Sequence, residues 1–354
     1  MDYRVAINGY GRIGRSILRA LYESSRHKNI KIVAINELSD LKTIAHLTKY
    51  DTTHGRFPGF IETRDRGLYI NNDYIDVSFF KEIDDLPWAD LDIDVVYECT
   101  GSFTTRIKAE QHIKRGAKKV IFSSPAEKDV DATVVFGINE DKIKADHKII
   151  SNASCTTNCV VPVLKIIHDA FGVERGIITT IHSMMNDQPV IDAYHNRDLR
   201  LTRCAGQSII PVETELAKGI DRILPELTGR LEAVSMRVPT INVSAMDITL
   251  VVKKNTSANQ INQALRKATG GRLSDVLGYT EEPLASCDFN HDSRSSIVDG
   301  NQTRVSGSRL VKVLAWFDNE WGYANRMLDT TAALMKANQA NVKSMRTEKT
   351  NPGL

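Results

Sequence analysis

Along residues 1–153 short apolar runs alternate with segments of helical period. Residues 4–8 (Arg-Val-Ala-Ile-Asn) predict a strand, the run from Ser16 to Leu21 predicts a helix opening near Arg12, and Ile30–Asn36 predicts a second strand. Further apolar runs at Asp94–Cys99, Lys119–Phe122, Thr133–Gly137 and Lys148–Ser151 stop at Gly, Ser, Thr or Pro, and read as buried parallel strands. A helix of mixed charge is expected over 102–118. Strands alternating with helices predict an α/β, doubly wound, mostly parallel sheet of the Rossmann kind.

The texture changes from Gly176 onward. Long strand-like runs at Ile177–His182, Val234–Val238, Ser244–Val252 and Leu310–Trp316 are separated by helical patterns near 213–224 and 258–269. That order predicts an α+β domain with a mixed or antiparallel sheet. We expect a first domain over 1–153, a second over 154–318, and a helix over 319–337 packing back to complete the first. The polar tail 340–354 has no apolar period and is expected to be disordered.

Bulk composition removes several function classes. Forty-six basic against 44 acidic residues leave a net charge of +2, which offers no footprint for nucleic acid or an anionic membrane. No apolar run reaches bilayer length, and Met1-Asp2-Tyr3-Arg4 shows no signal-peptide pattern, so a cytoplasmic location is expected. The five cysteines are odd in number, suit a reducing compartment and fail zinc spacing, so no metal is expected.

Two stretches carry chemistry. Gly9-Tyr10-Gly11-Arg12-Ile13-Gly14 lies between a strand and a helix, where glycines allow a tight turn and close approach of a pyrophosphate to the helix amino end. Glu37 closes the second strand about 20 residues further on, placed to accept from adenosine ribose hydroxyls and to repel a 2′-phosphate, which favours NAD over NADP. Thr100, Gly101 and Ser123 follow later strands and are candidate cofactor contacts or simple turn residues.

The other stretch is Ser151-Asn152-Ala153-Ser154-Cys155-Thr156-Thr157-Asn158-Cys159, which runs into Val160-Val161-Pro162-Val163-Leu164. This places Cys155 at a helix start at the handover between domains. A helix end and a nearby imidazolium would bring its thiol from about 8.5 to about 6, making it largely thiolate at neutral pH. Cys159, one turn on, is expected to pack as an apolar side chain. The long polar segment Met184–Ser208 is of a length that is usually functional or interfacial.

The glycine loop and the cysteine stretch, together with Arg237-Val238-Pro239-Thr240 and Asp318-Asn319-Glu320-Trp321-Gly322, resemble the glyceraldehyde-3-phosphate dehydrogenase family over residues 1 to about 337. The resemblance implies Cys155 as nucleophile and His182 as its base. It implies Gly9, Gly11, Gly14 and the backbone N–H groups of Arg12 and Ile13 at the pyrophosphate, Glu37 at the ribose, and Asn319 and Tyr323 near the nicotinamide. Ser154, Thr156, Arg200, Thr214 and Arg237 would face the substrate's anionic groups. A homotetramer is implied, with Met184–Ser208 at a subunit interface.

Segments 183–188, 207–211 and 299–307 are more similar to the branch of that family that oxidises D-erythrose 4-phosphate, in bacteria for pyridoxal 5′-phosphate biosynthesis. Where the glyceraldehyde-phosphate pattern has Thr before Asn-Asp-Gln this chain has Met185, and where it has Gly after the phosphate-binding Thr it has Glu215. A hydroxyl donor is lost, and the like charge of the added carboxylate would cost a bound phosphate about 1 to 3 kcal/mol, so water is the expected acyl acceptor. The alternatives are a phosphorylating glyceraldehyde-3-phosphate dehydrogenase and a non-catalytic NAD-binding redox sensor using Cys155 and Cys159.

Overall fold

A computed structural model describes residues 2–195 and 198–350, with side chains through 339. The chain divides into two compact units, Met1–Ala153 with Ala324–Leu354, and Ser154–Tyr323.

In the first unit the strands are β1 (Tyr3–Asn8), β2 (Ile30–Asn36), β3 (Tyr50–Asp51), β4 (Gly55–Arg56), β5 (Ile61–Arg64), β6 (Gly67–Ile70), β7 (Asp73–Ser78), β8 (Val95–Glu98), β9 (Lys119–Phe122), β10 (Ala132–Thr133) and β11 (Ile149–Ser151). Helices α1 (Arg12–Glu23), α2 (Leu41–Lys49) and α3 (Arg106–Lys114) connect them. Nine strands form one sheet in the order β10-β11-β9-β8-β1-β2-β7-β6-β5, while β3 and β4 make a separate ribbon. Strands β10 through β7 pair in parallel and only the β5–β7 meander is antiparallel. All four residues of β8 are buried, as a parallel strand covered on both faces requires.

The second unit holds β12 (Val173–Ser183), β13 (Ile210–Val212), β14 (Leu231–Val238), β15 (Ser244–Val252), β16 (Leu277–Thr280), β17 (Ser296–Ser306) and β18 (Leu310–Phe317). Its helices are α4 (Cys155–Phe171), α5 (Leu216–Ile223) and α6 (Ala258–Ala268). The sheet runs β13-β14-β12-β15-β18-β17-β16 and is mixed, with β12–β14 and β16–β17 parallel and the other pairs antiparallel.

Three expectations need correction. Thr133–Gly137 is not a strand: only Ala132–Thr133 pairs, because Val135 C=O turns back to accept from Ile138 and Asn139, with Gly137 at φ +90°. The last helix, α7 (Trp321–Thr350), does not stop near 337. Its backbone stays helical across 340–350, where disorder was expected, because Lys, Arg, Glu and Met favour helix and no Gly or Pro intervenes before Pro352. Residues 351–354 of that tail lie outside the described residues. Among the described residues no helix is long and apolar enough to cross a membrane.

Candidate active site

Cys155 is the first residue of α4. Ser154 caps the helix, its Oγ accepting the Thr157 N–H at 3.0 Å and meeting the hydroxyls of Thr156 (2.9 Å) and Thr157 (2.8 Å). The Ser154 hydroxyl and its Thr156 neighbour, expected to face substrate anions, are thus first of all parts of the cap. Ahead of it, Ala153 takes φ +54°, a left-handed conformation that costs an alanine about 1 kcal/mol and marks a backbone held in place by its surroundings. Behind Cys155, Cys159 is fully buried, its Sγ 3.6 Å from Ser296 Oγ.

His182 sits near the end of β12 and is 5% exposed. Its Nε2 lies 3.7 Å from Cys155 Sγ. On the other side of the ring, Nδ1 is 2.7 Å from the Ser183 carbonyl oxygen and 2.6 Å from Arg237 Nη1. Arg237 is there because β12 and β14 are parallel neighbours in a register that sets His182 opposite Arg237. Burial pushes the Cys155 thiol up to about 11, against the opposing pull of Arg237. Burial, aided by Arg237, brings His182 down to about 4. Burial thus works against the expected thiolate and imidazolium. Desolvation penalises both charges and a second cation, Arg237, opposes the imidazolium.

Asn319 follows β18 and is 8% exposed. Its Oδ1 accepts from Ser183 Oγ at 3.0 Å and Ser244 Oγ at 2.9 Å. Ser244 Oγ already accepts the Ser183 N–H at 3.1 Å, so its proton goes to Asn319 and sets the amide's orientation. With Oδ1 held by two hydroxyls, Nδ2 is the donor end of that amide. Asp318 holds the turn beside it, one carboxylate oxygen accepting from the N–H groups of Glu320 and Trp321 and the other from Asn242 Nδ2 and His291 N–H. Asp318 is a supporting residue that sequence reasoning passed over, although an Asp three residues before a helix's first turn is a cap signal. No sequence pattern pointed to Ser244, and Ser183 entered only as the first residue of segment 183–188, with no role assigned to it.

Thr214 precedes α5 and its Oγ1 accepts the Leu216 N–H at 3.2 Å. Glu215 turns to solvent and pairs with Lys218 Nζ at 2.9 Å, both side chains about three-quarters exposed. The expected repulsion of phosphate by its carboxylate is removed by that orientation. Arg237 is half-buried, has no carboxylate within ion-pair distance among the described residues, and keeps a buried Nε with no hydrogen-bond partner. Such a guanidinium suits an anion. Arg200 lies on an exposed turn, its N–H bonded to Asp198, and makes no hydrogen bond to Cys155, His182 or Arg237 among the described residues. Tyr323 is buried near the start of α7.

In the first unit, Gly9 adopts φ +88°, where a side chain would stand 2.6 Å from the Thr100 nitrogen, and a Cβ on Gly14 would strike the Gly9 carbonyl oxygen. A Cβ on Gly11 would meet nothing within 4 Å, leaving open space at the amino end of α1 before Arg12 and Ile13. The Arg12 side chain turns away to Asp51 on β3, at 2.5 Å. Although burial opposes it, that pairing and backbone N–H bonds hold the Asp51 carboxyl down at about 2. Glu37 spans the loop: Oε2 accepts Tyr10 N–H and Oε1 accepts Leu38 N–H, each at 2.7 Å.

Thr100 gives both its N–H and its hydroxyl to Glu98, leaving Gly101 as the open element of that turn. Glu98 is itself buried with Asn8 and His112, and Ser123 N–H bonds the Glu98 carbonyl.

Residues 3–106 match the glyceraldehyde 3-phosphate dehydrogenase NAD binding domain, and residues 154–319 match the glyceraldehyde 3-phosphate dehydrogenase C-terminal domain. The chain belongs to the glyceraldehyde-3-phosphate dehydrogenase family. It is an NAD-dependent oxidoreductase of that family, and its cofactor is NAD. The open helix end at Gly11 and the Glu37 carboxylate, both in the first unit, are a donor and acceptor pair that suits this dinucleotide. Glu37→Gln is expected to weaken NAD about tenfold and to narrow the preference over NADP, because a carboxylate acceptor is lost. Fluorescence titration with both nucleotides checks this, and unchanged affinities would take Glu37 out of the site.

Proposed function

We propose that the protein oxidises D-erythrose 4-phosphate to 4-phospho-D-erythronate with NAD, through a thioester on Cys155 that water releases. The observation that supports the chemistry most is Cys155 Sγ at 3.7 Å from His182 Nε2, with the Arg237 guanidinium, which has no carboxylate partner among the described residues, on the far side of the imidazole. An aldehyde has no leaving group, so oxidation needs a covalent adduct first. Cys155 Sγ bonds to the carbonyl carbon as its S–H proton passes through His182 to the carbonyl oxygen, the Cys155 backbone N–H and the α4 terminus steady that oxygen, and His182 takes the resulting hydroxyl proton as the aldehyde C–H bond breaks. NAD, when bound, supplies the two-electron acceptor. Asn319 Nδ2 orients the carboxamide of the nicotinamide, and Arg237 with Thr214 holds the substrate's anionic group.

Substrate choice rests on the three segments named above and on Met185, which opens the turn to Gln188 without a hydroxyl. Glu215, paired with Lys218 in solvent, favours the second reading, a phosphorylating glyceraldehyde-3-phosphate dehydrogenase, by leaving inorganic phosphate unopposed. NADH formation with each aldehyde, with and without phosphate, separates them. We expect the erythrose phosphate rate to be independent of phosphate and Met185→Thr to introduce dependence on it. Strict phosphate dependence with glyceraldehyde 3-phosphate preferred reverses the assignment.

The reading includes a cytoplasmic enzyme of pyridoxal 5′-phosphate biosynthesis. It also includes a homotetramer, supported by apolar side chains on the 184–208 segment such as Val190 (85% exposed) and Tyr194 (90% exposed). Light scattering tests the assembly, and a monomer at micromolar concentration counts against it.

A further inference from the structure

A buried chain of hydrogen bonds in the first unit converges on one carboxylate. The Trp88 indole N–H can only donate, and it reaches His112 Nδ1 at 2.9 Å, so the His112 proton lies on Nε2 and is given to Glu98 Oε2 at 3.1 Å. From the other side Asn36 Nδ2 donates to Asn8 Oδ1 at 2.8 Å, and Asn8 Nδ2 donates to the same Glu98 oxygen at 2.7 Å. Glu98 Oε1 takes the Thr100 N–H at 2.9 Å and the Thr100 hydroxyl. Four donors thus end on the two oxygens of a side chain that is 1% exposed.

Thr100 passes this order on. Its Oγ1 gives its proton to Glu98 and accepts the Ser102 N–H at 3.2 Å, which closes the turn around Gly101 at φ +69°. The turn borders the glycine loop, since a Cβ on Gly9 would stand 2.6 Å from the Thr100 nitrogen, and a Cβ on Gly101 would meet nothing within 4 Å. In the sheet order β9-β8-β1-β2-β7, the turn after β8 lies across β1 from Glu37, at the point where the strand order reverses. A dinucleotide laid across that point with its adenosine ribose at Glu37 has its other ribose on the β8 side. The loop after β7 is gripped separately: Asn36 Oδ1 accepts the Phe80 N–H and Asn36 Nδ2 donates to the Phe80 carbonyl, each at 2.9 Å.

We propose that Glu98 is a positioning residue for the cofactor, which through Thr100 presets the turn at Gly101 for the nicotinamide-side ribose of NAD. A carboxamide in its place has one oxygen for two pairs of donors. His112 cannot yield, because Trp88 fixes its tautomer, and Asn8 cannot, because Asn36 fixes its amide. The new NH2 therefore faces Thr100, whose N–H loses its acceptor and whose turn is released. The inference rests on the reading that Thr100 and Gly101 touch the cofactor, and not on which aldehyde is oxidised.

The test is calorimetric titration of the full chain with NAD, ADP-ribose and AMP. Glu98→Gln is expected to weaken NAD and ADP-ribose about tenfold, the scale of one lost hydrogen bond, and to leave AMP unchanged. Charge alone predicts the opposite sign, because removing a carboxylate relieves repulsion of the phosphates and tightens all three. Thr100→Val, which lacks the hydroxyl, is expected to show the same pattern at about threefold, and Thr100→Ser, which keeps it, to bind as the wild type does.

Equal weakening of the three ligands would assign Glu98 to general support of the fold, and unchanged or tightened NAD would take it out of the site. Either result overturns the proposal, as does a Thr100→Ser protein as weak as Thr100→Val. The threonine pair decides by itself should Glu98→Gln not fold. Gly101→Asp reports separately on the underlying reading, because it sets a carboxylate in the open space of the turn and should weaken NAD whatever Glu98 does. Unchanged NAD affinity there would place the turn away from the cofactor and end the proposal with it.

Discussion

Cys155→Ala is expected to lower NADH formation from a phosphorylated aldehyde by about ten-thousandfold or more while leaving NAD affinity unchanged. Without Sγ there is no adduct from which the two electrons can leave, and the other cysteine of the stretch cannot substitute. Cys159 is fully buried, and burial pushes its thiol up to about 12. Cys159→Ala should therefore cost on the order of 1 kcal/mol of stability and keep turnover. His182→Asn should fall between them, about a hundredfold to ten-thousandfold slower. Single-turnover NADH absorbance with both substrates saturating measures all three. A Cys155→Ala protein retaining a tenth of the wild-type rate would end the covalent reading, and a wild type that binds NAD but never turns over would restore the redox-sensor alternative.

The parts of the two units' candidate sites that were legible are those set by local geometry. Gly9 and Gly14 could be read because a side chain at either strikes neighbouring backbone, and Cys155 because Ser154 and the apolar run after it form a helix start. Its protonation state was not legible. That depends on burial and on Arg237, which reaches His182 only through the register of β12 against β14. Glu215 failed for a similar reason: a residue's identity shows its charge but not which way a helix start turns it, and Lys218 three residues on was the available hint.

In the fold, the long strands of the second unit stood out, whereas β17 did not. Asp299-Gly300-Asn301 reads as a turn, yet the strand absorbs it as an irregularity in its register against β18. The meander β5–β7 has many charged and polar positions and little apolar period, which hid it.

Asp329→Asn should destabilise the first unit by about 3 to 5 kcal/mol, because it removes the carboxylate that faces the fully buried Arg326 guanidinium. Asp329, 2% exposed on α7, receives Arg326 Nε at 2.8 Å, His27 Nε2 at 2.9 Å and Arg26 Nη2 at 3.1 Å, and Arg326 is fully buried. The cluster ties the last helix to the segment after α1, so its loss acts on the packing that closes this unit. Burial by itself would raise the Asp329 carboxyl, but the hydrogen bond from His27 and the charges of Arg326 and Arg26 outweigh it and hold the carboxyl below its ordinary range.

A depressed folded value fixes the sign. The stabilisation is fully present above the unfolded value of about 3.9 and is lost as pH falls through the lower folded value. The gap in thermal midpoint between wild type and Asp329→Asn should therefore be constant from neutrality to about pH 5 and close below it, as the wild-type carboxyl takes up its proton and comes to resemble the amide. Melts followed by circular dichroism across that range measure it. A gap that is small at neutral pH, or that survives unchanged into strong acid, would show that Asp329 is held there by packing and not by its charge.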